Sequence, residues 1–295
     1  MIWKGASQFM AAIRTDLAME AHACWKESAG ETSELRGVIA QDEILDGFPL
    51  TRVEIVDKEG EEALGKPRGT YLTLDITRYW RHETDSFHQA VESIAQLLEP
   101  MLPEEGPVLI AGLGNQAMTP DALGPGCLSY LLITRHLKSI LPGFRETAAL
   151  SGGVLGTTGL EAAEWVQGAA EHMAPKAVIV VDALAARGLE RICNSIQISD
   201  TGLVPGSGVG NHRTALNRES LGVPVISIGV PTVVDIETIA HDLAGAECQV
   251  PQKGFFLTPD SIDAKIRDLS KILGYGINLA LQPGLTTEDL DALLS

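Results

Sequence analysis

Apolar residues recur along this chain with two different periods, and those periods sort it into helices and strands. Asp85 to Leu98 places Phe87, Val91, Ile94, Leu97 and Leu98 on one helical face, with Thr84 or Asp85 positioned to cap it and Pro100 and Pro103 to end it. Residues 17–35, rich in alanine and carrying Leu17, Met19 and Trp25, predict an earlier helix. Thr51 to Val56 and Tyr71 to Ile76 are strand candidates, and the charged, glycine-bearing stretch Asp57 to Gly69 between them reads as a solvated turn. The middle of the chain is the most regular. Val108 to Leu113, Ala177 to Val181 and Val223 to Val230 are short apolar runs suited to strands, while Gly126 to Leu137, Gly159 to Met173 and Val233 to Leu243 suit helices. Strands apolar on both faces and separated by helices predict an α/β fold, a mostly parallel sheet with helices on both faces. Toward the end, Pro259 to Leu273 and Thr286 to Leu294 read as helices, with Thr258 and Thr287 as candidate caps.

Composition narrows the class. At 295 residues the chain can bury a core without disulfide staples. Its four cysteines, Cys24, Cys127, Cys193 and Cys248, are far apart and share no CxxC spacing, which fits a reducing compartment and suggests no zinc knuckle. Lys+Arg 22 against Asp+Glu 39 gives a formal charge of -17, a field that repels nucleic acid and anionic membrane, so no direct nucleic-acid or membrane partner is expected. Lys4, Arg14 and Asp16 interrupt the apolar residues near the start, so no export signal is expected, and no run of ~18 apolar residues suggests a membrane span.

Two carboxylates stand where chemistry is expected. Asp121 lies in a Gly/Pro-rich loop after the Val108 to Leu113 strand, and Asp182 directly follows Ala177 to Val181. Ligands of open α/β sheets bind at the carboxyl ends of strands, so two strands can deliver these groups to one rim. Neighbouring carboxylates resist double ionisation and share a proton, which lets one activate water while the other donates a hydrogen bond. The plainer role for each is a helix cap or an Asx turn. Asp200 and Asp235, also near strand ends, are competitors on position alone.

Other signals are weaker. Gly112-x-Gly114-x-x-Ala117 is a degenerate dinucleotide fingerprint, undercut by Pro120 and by the lack of an acidic residue near the required offset. The stretches Gly152 to Gly159 and Pro205 to Arg213 offer backbone N–H groups and hydroxyls for an oxyanion or an extended peptide. Ser207 has no G-x-S-x-G context, which argues against a serine nucleophile. His82-Glu83 lacks the second histidine of H-E-x-x-H, His136 and His212 are solitary, and Arg135, Arg187 and Arg213 read as ordinary ion-pairing groups, so no metal site is expected.

Several long strings, spanning nearly the whole chain in order, resemble the germination protease family of spore-forming bacteria. They are RTDLAMEA (14–21), GLGNQAMTPDALGP (112–125), GTTG (156–159), VDALAAR (181–187), QISDTGLVPGSGVGN (197–211) and IGVPTVVD (228–235). The resemblance implies a fold like that of hydrogenase-maturation endopeptidases and a homotetramer in the cytoplasm of the forespore or spore core. It implies an atypical aspartic endopeptidase that needs no cofactor and degrades small acid-soluble spore proteins during germination. The catalytic pair it implies is Asp121 and Asp182. It further implies a zymogen that removes residues 1–16 by cutting between Asp16 and Leu17, leaving 17–295 as a single α/β peptidase domain with peripheral helical and loop additions. Gly156, Thr157, Thr158, Ser207 and Asn211 are candidates for holding substrate. Two alternatives stay open: a metal-assisted maturation-type endopeptidase, and a non-catalytic binding protein.

Overall fold

The structure, a computed structural model, describes residues 15–30, 34–207, 213–244 and 254–294. Its centre is the strand β6 (Ala177–Ala186), whose side chains alternate between two cores. Ile179 and Val181 join one apolar cluster, and Val178 and Val180 join another on the opposite face. The flanking strand β4 (Val108–Gly112) repeats the alternation, with Val108 and Ile110 on the first side and Leu109 and Ala111 on the second. Each such valine, leucine or isoleucine contributes about 1.5–3 kcal/mol on full burial, which is why these short runs hold the middle of the sheet.

The first face is covered by α4 (Ser86–Leu98) and α10 (Ile262–Leu281), the second by α7 (Ala162–Met173), while α3 (Thr77–Trp80) and α8 (Arg218–Leu221) are helices of four residues each. The helices α4 and α10 cross closely: a Cβ on Gly276 would come within 2.5 Å of Ile94 Cγ2. A third cluster seats α1 (Ala18–Ala29) and α2 (Lys58–Leu64) on β2 (Phe48–Ile55) and β3 (Gly69–Asp75), through Ala18, Ala21, Val53, Ile55, Leu64 and Tyr71. Among the described residues, no helix is long and apolar enough to cross a membrane.

The sheet is mixed. With β1 (Val38–Leu45), β5 (Thr147–Leu150), β7 (Ser195–Ser199), β8 (Val225–Asp235) and β9 (Phe256–Leu257), the order is β1-β2-β3-β7-β8-β6-β4-β5, and β9 pairs with β8. The α/β expectation holds. The parallel arrangement holds for β8-β6-β4-β5, whereas β1, β2, β3 and β7 form an antiparallel half joined to β8.

Several boundaries differ from the sequence reading. The stretch 57–69 is no simple turn, because Asp57 accepts from the Gly60 amide at 3.0 Å and caps α2. The helix expected over Gly126 to Leu137 is only α5 (Leu123–Leu128), followed by a 3-10 turn at Arg135–Leu137. Asp85 precedes α4 in a left-handed conformation, without a side-chain cap. Near the end, Thr286 rather than Thr287 caps α11 (Thr287–Leu294), accepting from the Asp289 amide at 3.2 Å, while the Thr258 hydroxyl donates to the Thr232 carbonyl.

Candidate active site

Asp182 does not follow its strand but lies inside it, opposite Gly229 of β8. The strand runs on because β8 extends alongside it to Asp235, with a register shift at Leu184/Ala185. One Asp182 oxygen accepts from the Ala183 amide at 2.9 Å, and the side chain is only 7 % exposed. Burial pushes this carboxyl well above the ordinary carboxylate value. The negative charges of Asp121 and, more weakly, Asp16 push the same way, against the Ala183 hydrogen bond and Arg213.

Asp121 reaches the same region from the loop after β4. The Leu113 amide donates to the Val181 carbonyl at 2.8 Å, stitching the loop to the strand one residue before Asp182. Pro120 helps form a 3-10 turn over Thr119–Asp121, and the Asn115 amide donates to Asp121 Oδ2 at 2.8 Å. Gly114 sits at φ +110, where a Cβ would come within 2.0 Å of the Asp121 carbonyl oxygen, so the turn that aims this carboxylate requires glycine. Burial raises Asp121 as well, opposed by the Asn115 bond and by Arg213. Two carboxyls whose proton affinities are both raised by burial, one raised further by the other's charge, suit a shared-proton acid/base pair.

The third component is the chain's own segment 15–18. The Asp16 amide donates to the Ala185 carbonyl at 2.9 Å, and the Ala185 amide donates back to Asp16 Oδ2 at 2.9 Å. Ser207 Oγ donates to Asp16 Oδ1 at 2.8 Å. The Asp16 carbonyl accepts from Lys66 Nζ at 2.9 Å and from Gln197 Nε2 at 3.1 Å, while Gln197 Oε1 accepts from the Ala18 amide at 2.7 Å. Leu17 and Ala18 are fully buried. Glu20 fastens the start of α1 by accepting from the Arg187 and Gly188 amides, each at 2.8 Å, and from the Thr15 hydroxyl.

The remaining candidates fall elsewhere or into structural roles. Asp200 accepts from the Thr70 amide at 2.8 Å, and Asp235 caps α9 (Ile236–Ala244) by accepting from the Glu237 amide at 2.9 Å. Gly156, Thr157 and Thr158 lie exposed on the short helix α6 (Leu155–Thr158), where both threonine hydroxyls donate to the Val154 carbonyl. Ser207 contacts Asp16, but Asn211, His212, Cys248 and residues 1–14 lie outside the described residues. Arg213 is a charge neighbour of both Asp121 and Asp182, rather than a remote surface group. Among the described residues, no group of three or more His, Cys, Asp and Glu side chains could hold a metal ion. Sequence reasoning missed Lys66 and Gln197. Lys66 looked like part of a solvated turn, and only the alternation in SIQIS, with Gln197 between two isoleucines, hinted at a polar group facing inward.

The germination protease family model matches residues 15–245. Among curated proteins, the chain is 41% identical to a germination protease of Caldanaerobacter subterraneus subsp. tengcongensis, over 96% of this chain and 98% of that one. It is 39% identical to one of Clostridium perfringens, over 96% and 99%, and 46% identical to one of Bacillus cereus, over 78% and 65%. Among solved structures it is similar to a [NiFe] hydrogenase maturation protease from Thermococcus kodakarensis, with 21% identity and TM-score 0.39, covering 63% of this chain and 99% of that chain. Matched along most of its length by family model and relatives alike, the chain belongs to the germination protease family, the endopeptidases of spore germination.

Proposed function

We propose that this protein is an aspartic-type endopeptidase that starts the degradation of small acid-soluble spore proteins, working through Asp121 and Asp182. On this reading it is made as a zymogen that frees residues 17–295, the peptidase domain, by cutting between Asp16 and Leu17. The observation that carries the reading is the convergence of three carboxylates. Burial raises the proton affinity of both Asp121 and Asp182, and Asp16, the residue before the bond to be cut, is hydrogen-bonded to the strand that holds Asp182. The ionised member of the pair takes a proton from water as its oxygen bonds to the peptide carbon. The protonated member then delivers a proton to the departing nitrogen as the C–N bond breaks.

The way Asp16-Leu17-Ala18 is held supports a particular substrate preference. An acidic side chain meets Ser207 Oγ and the Ala185 amide, and a large aliphatic one follows into a fully buried position. Spore proteins cut by this enzyme carry acidic–aliphatic pairs in extended segments, which bind by main-chain hydrogen bonds beside β6. The family resemblance adds a homotetramer in the forespore or spore-core cytoplasm. Incubating the processed enzyme with a purified small acid-soluble spore protein and mapping the cuts by mass spectrometry tests the substrate assignment. Cuts after acidic residues followed by Leu or Ile are expected, and an intact spore protein beside a processed enzyme contradicts it. Sedimentation at several protein concentrations tests the tetramer.

A further inference from the structure

We infer that Lys66 and Gln197 form the carbonyl-binding site of the reaction, holding the oxygen that becomes the oxyanion when water adds to the peptide bond. The inference rests on the proposed cut between Asp16 and Leu17. Both ends of that bond are engaged. Its oxygen accepts from Lys66 Nζ at 2.9 Å and Gln197 Nε2 at 3.1 Å, and its N–H donates to Thr15 Oγ1 at 3.0 Å. Two donors on one carbonyl oxygen, one of them an amine, are what a tetrahedral intermediate requires as the C=O electrons move onto oxygen. Neither donor lies in the glycine-rich loops that offered backbone N–H groups for this purpose.

The two donors are held by different means. Gln197 is 7 % exposed on β7, between β3 and β8, and its own carbonyl accepts from the Ala18 amide, which fixes the amide plane so that Nε2 points at the Asp16 oxygen. Lys66 follows the left-handed Gly65 that ends α2, and its amine also reaches the Thr15 carbonyl at 3.4 Å. Burial lowers the affinity of Lys66 for its proton, and the charges of Asp16 and Glu20 oppose that loss. Because both donors act on the main chain, they serve any substrate laid in the same place, whatever its side chains.

In the reaction, water's oxygen bonds to the Asp16 carbonyl carbon as its proton passes to the ionised carboxylate of the pair. The carbonyl electrons move onto the oxygen between Lys66 and Gln197. They return as the C–N bond breaks, the protonated carboxyl delivers its proton to the Leu17 nitrogen, and the products are the Asp16 acid and the Leu17 amine.

The test uses the full chain and follows release of residues 1–16 by mass spectrometry in Lys66→Met, Lys66→Arg and Gln197→Glu, with hydrogen exchange of the Asp16 to Ala18 amides measured alongside. Gln197→Glu keeps the acceptor for the Ala18 amide and removes the donor to Asp16. We expect Lys66→Met and Gln197→Glu to slow release by about 100-fold, the scale of losing one oxyanion donor, and Lys66→Arg to recover part of the rate. The Asp16 amide should stay protected in all three, since its partner is the Ala185 carbonyl. Wild-type rates in Lys66→Met and Gln197→Glu, or slowing accompanied by loss of that protection, overturn the assignment and leave the cleavage site standing. A wild-type cut elsewhere than Asp16–Leu17 instead overturns the reading beneath it.

Discussion

Asp16 and Ala185 are joined twice: amide to carbonyl at 2.9 Å, and amide to carboxylate at 2.9 Å in return. Ala185 lies three residues beyond Asp182 on β6, so the segment before α1 is laid against the strand that carries the buried carboxyl. The main chain of residue 16 is recognised as an added strand residue would be, and its side chain is read separately by Ser207 and Ala185.

That division predicts how position 16 tolerates change. Asp16→Ala keeps the main-chain contacts and loses the two hydrogen bonds that the half-buried side chain accepts, which slows release of the N-terminal segment by about tenfold. Asp16→Asn keeps the shape and loses the charge, and falls between Asp16→Ala and wild type. Timed mass spectra of the three proteins rank them; equal rates contradict a side-chain-selective site.

Asp182 costs the folded state stability, and the sign follows from linkage. Its folded-state carboxyl holds its proton to higher pH than the unfolded one, so the two states bind protons equally in strong acid. As pH rises through the window between the two values, the unfolded chain releases its proton first and stability falls. Asp182→Asn removes this loss, so its Tm exceeds wild type at neutral pH by about 2–4 °C for each kcal/mol relieved. The gap closes below the ordinary carboxylate range. Thermal melts across pH check this, and a variant less stable than wild type at neutral pH contradicts it.

Gly124 is where the Asp121 loop meets the sheet. A Cβ there would come within 2.3 Å of the Leu113 carbonyl oxygen and 2.5 Å of the Val181 carbonyl oxygen, both backbone atoms that cannot swing aside. Gly124→Ala is expected to cost about 1–3 kcal/mol and to displace the loop that aims Asp121. Denaturant unfolding and the processing rate should therefore fall together. Wild-type stability in this variant contradicts the close approach.

Much of this architecture was legible in the chain. The runs over 108–113 and 177–181 are apolar at successive positions because β4 and β6 are covered on both faces, and they located the parallel half of the sheet. The antiparallel half was harder to read. In β1, VIAQDEIL lies at an edge with its middle exposed, so burial imposes no alternation, and β7 is only five residues long; β5, at the parallel edge, is shorter still at four. Asp121 and Asp182 stood out because strand-adjacent carboxylates are recognisable by position. Lys66 and Gln197 did not, because their role exists only once β7 is inserted between β3 and β8 and the turn after α2 folds back over residues 15 and 16. A lysine in a turn and a glutamine in a short strand have no sequence signature for that arrangement.

The most direct test of the carboxylate pair is the mass of the full chain, with time, for wild type, Asp121→Asn and Asp182→Asn, each confirmed folded by its melting curve. Loss of residues 1–16 is expected in wild type, with both variants remaining at full mass. Release of the same fragment at the wild-type rate from either folded variant would contradict a reaction carried by Asp121 and Asp182.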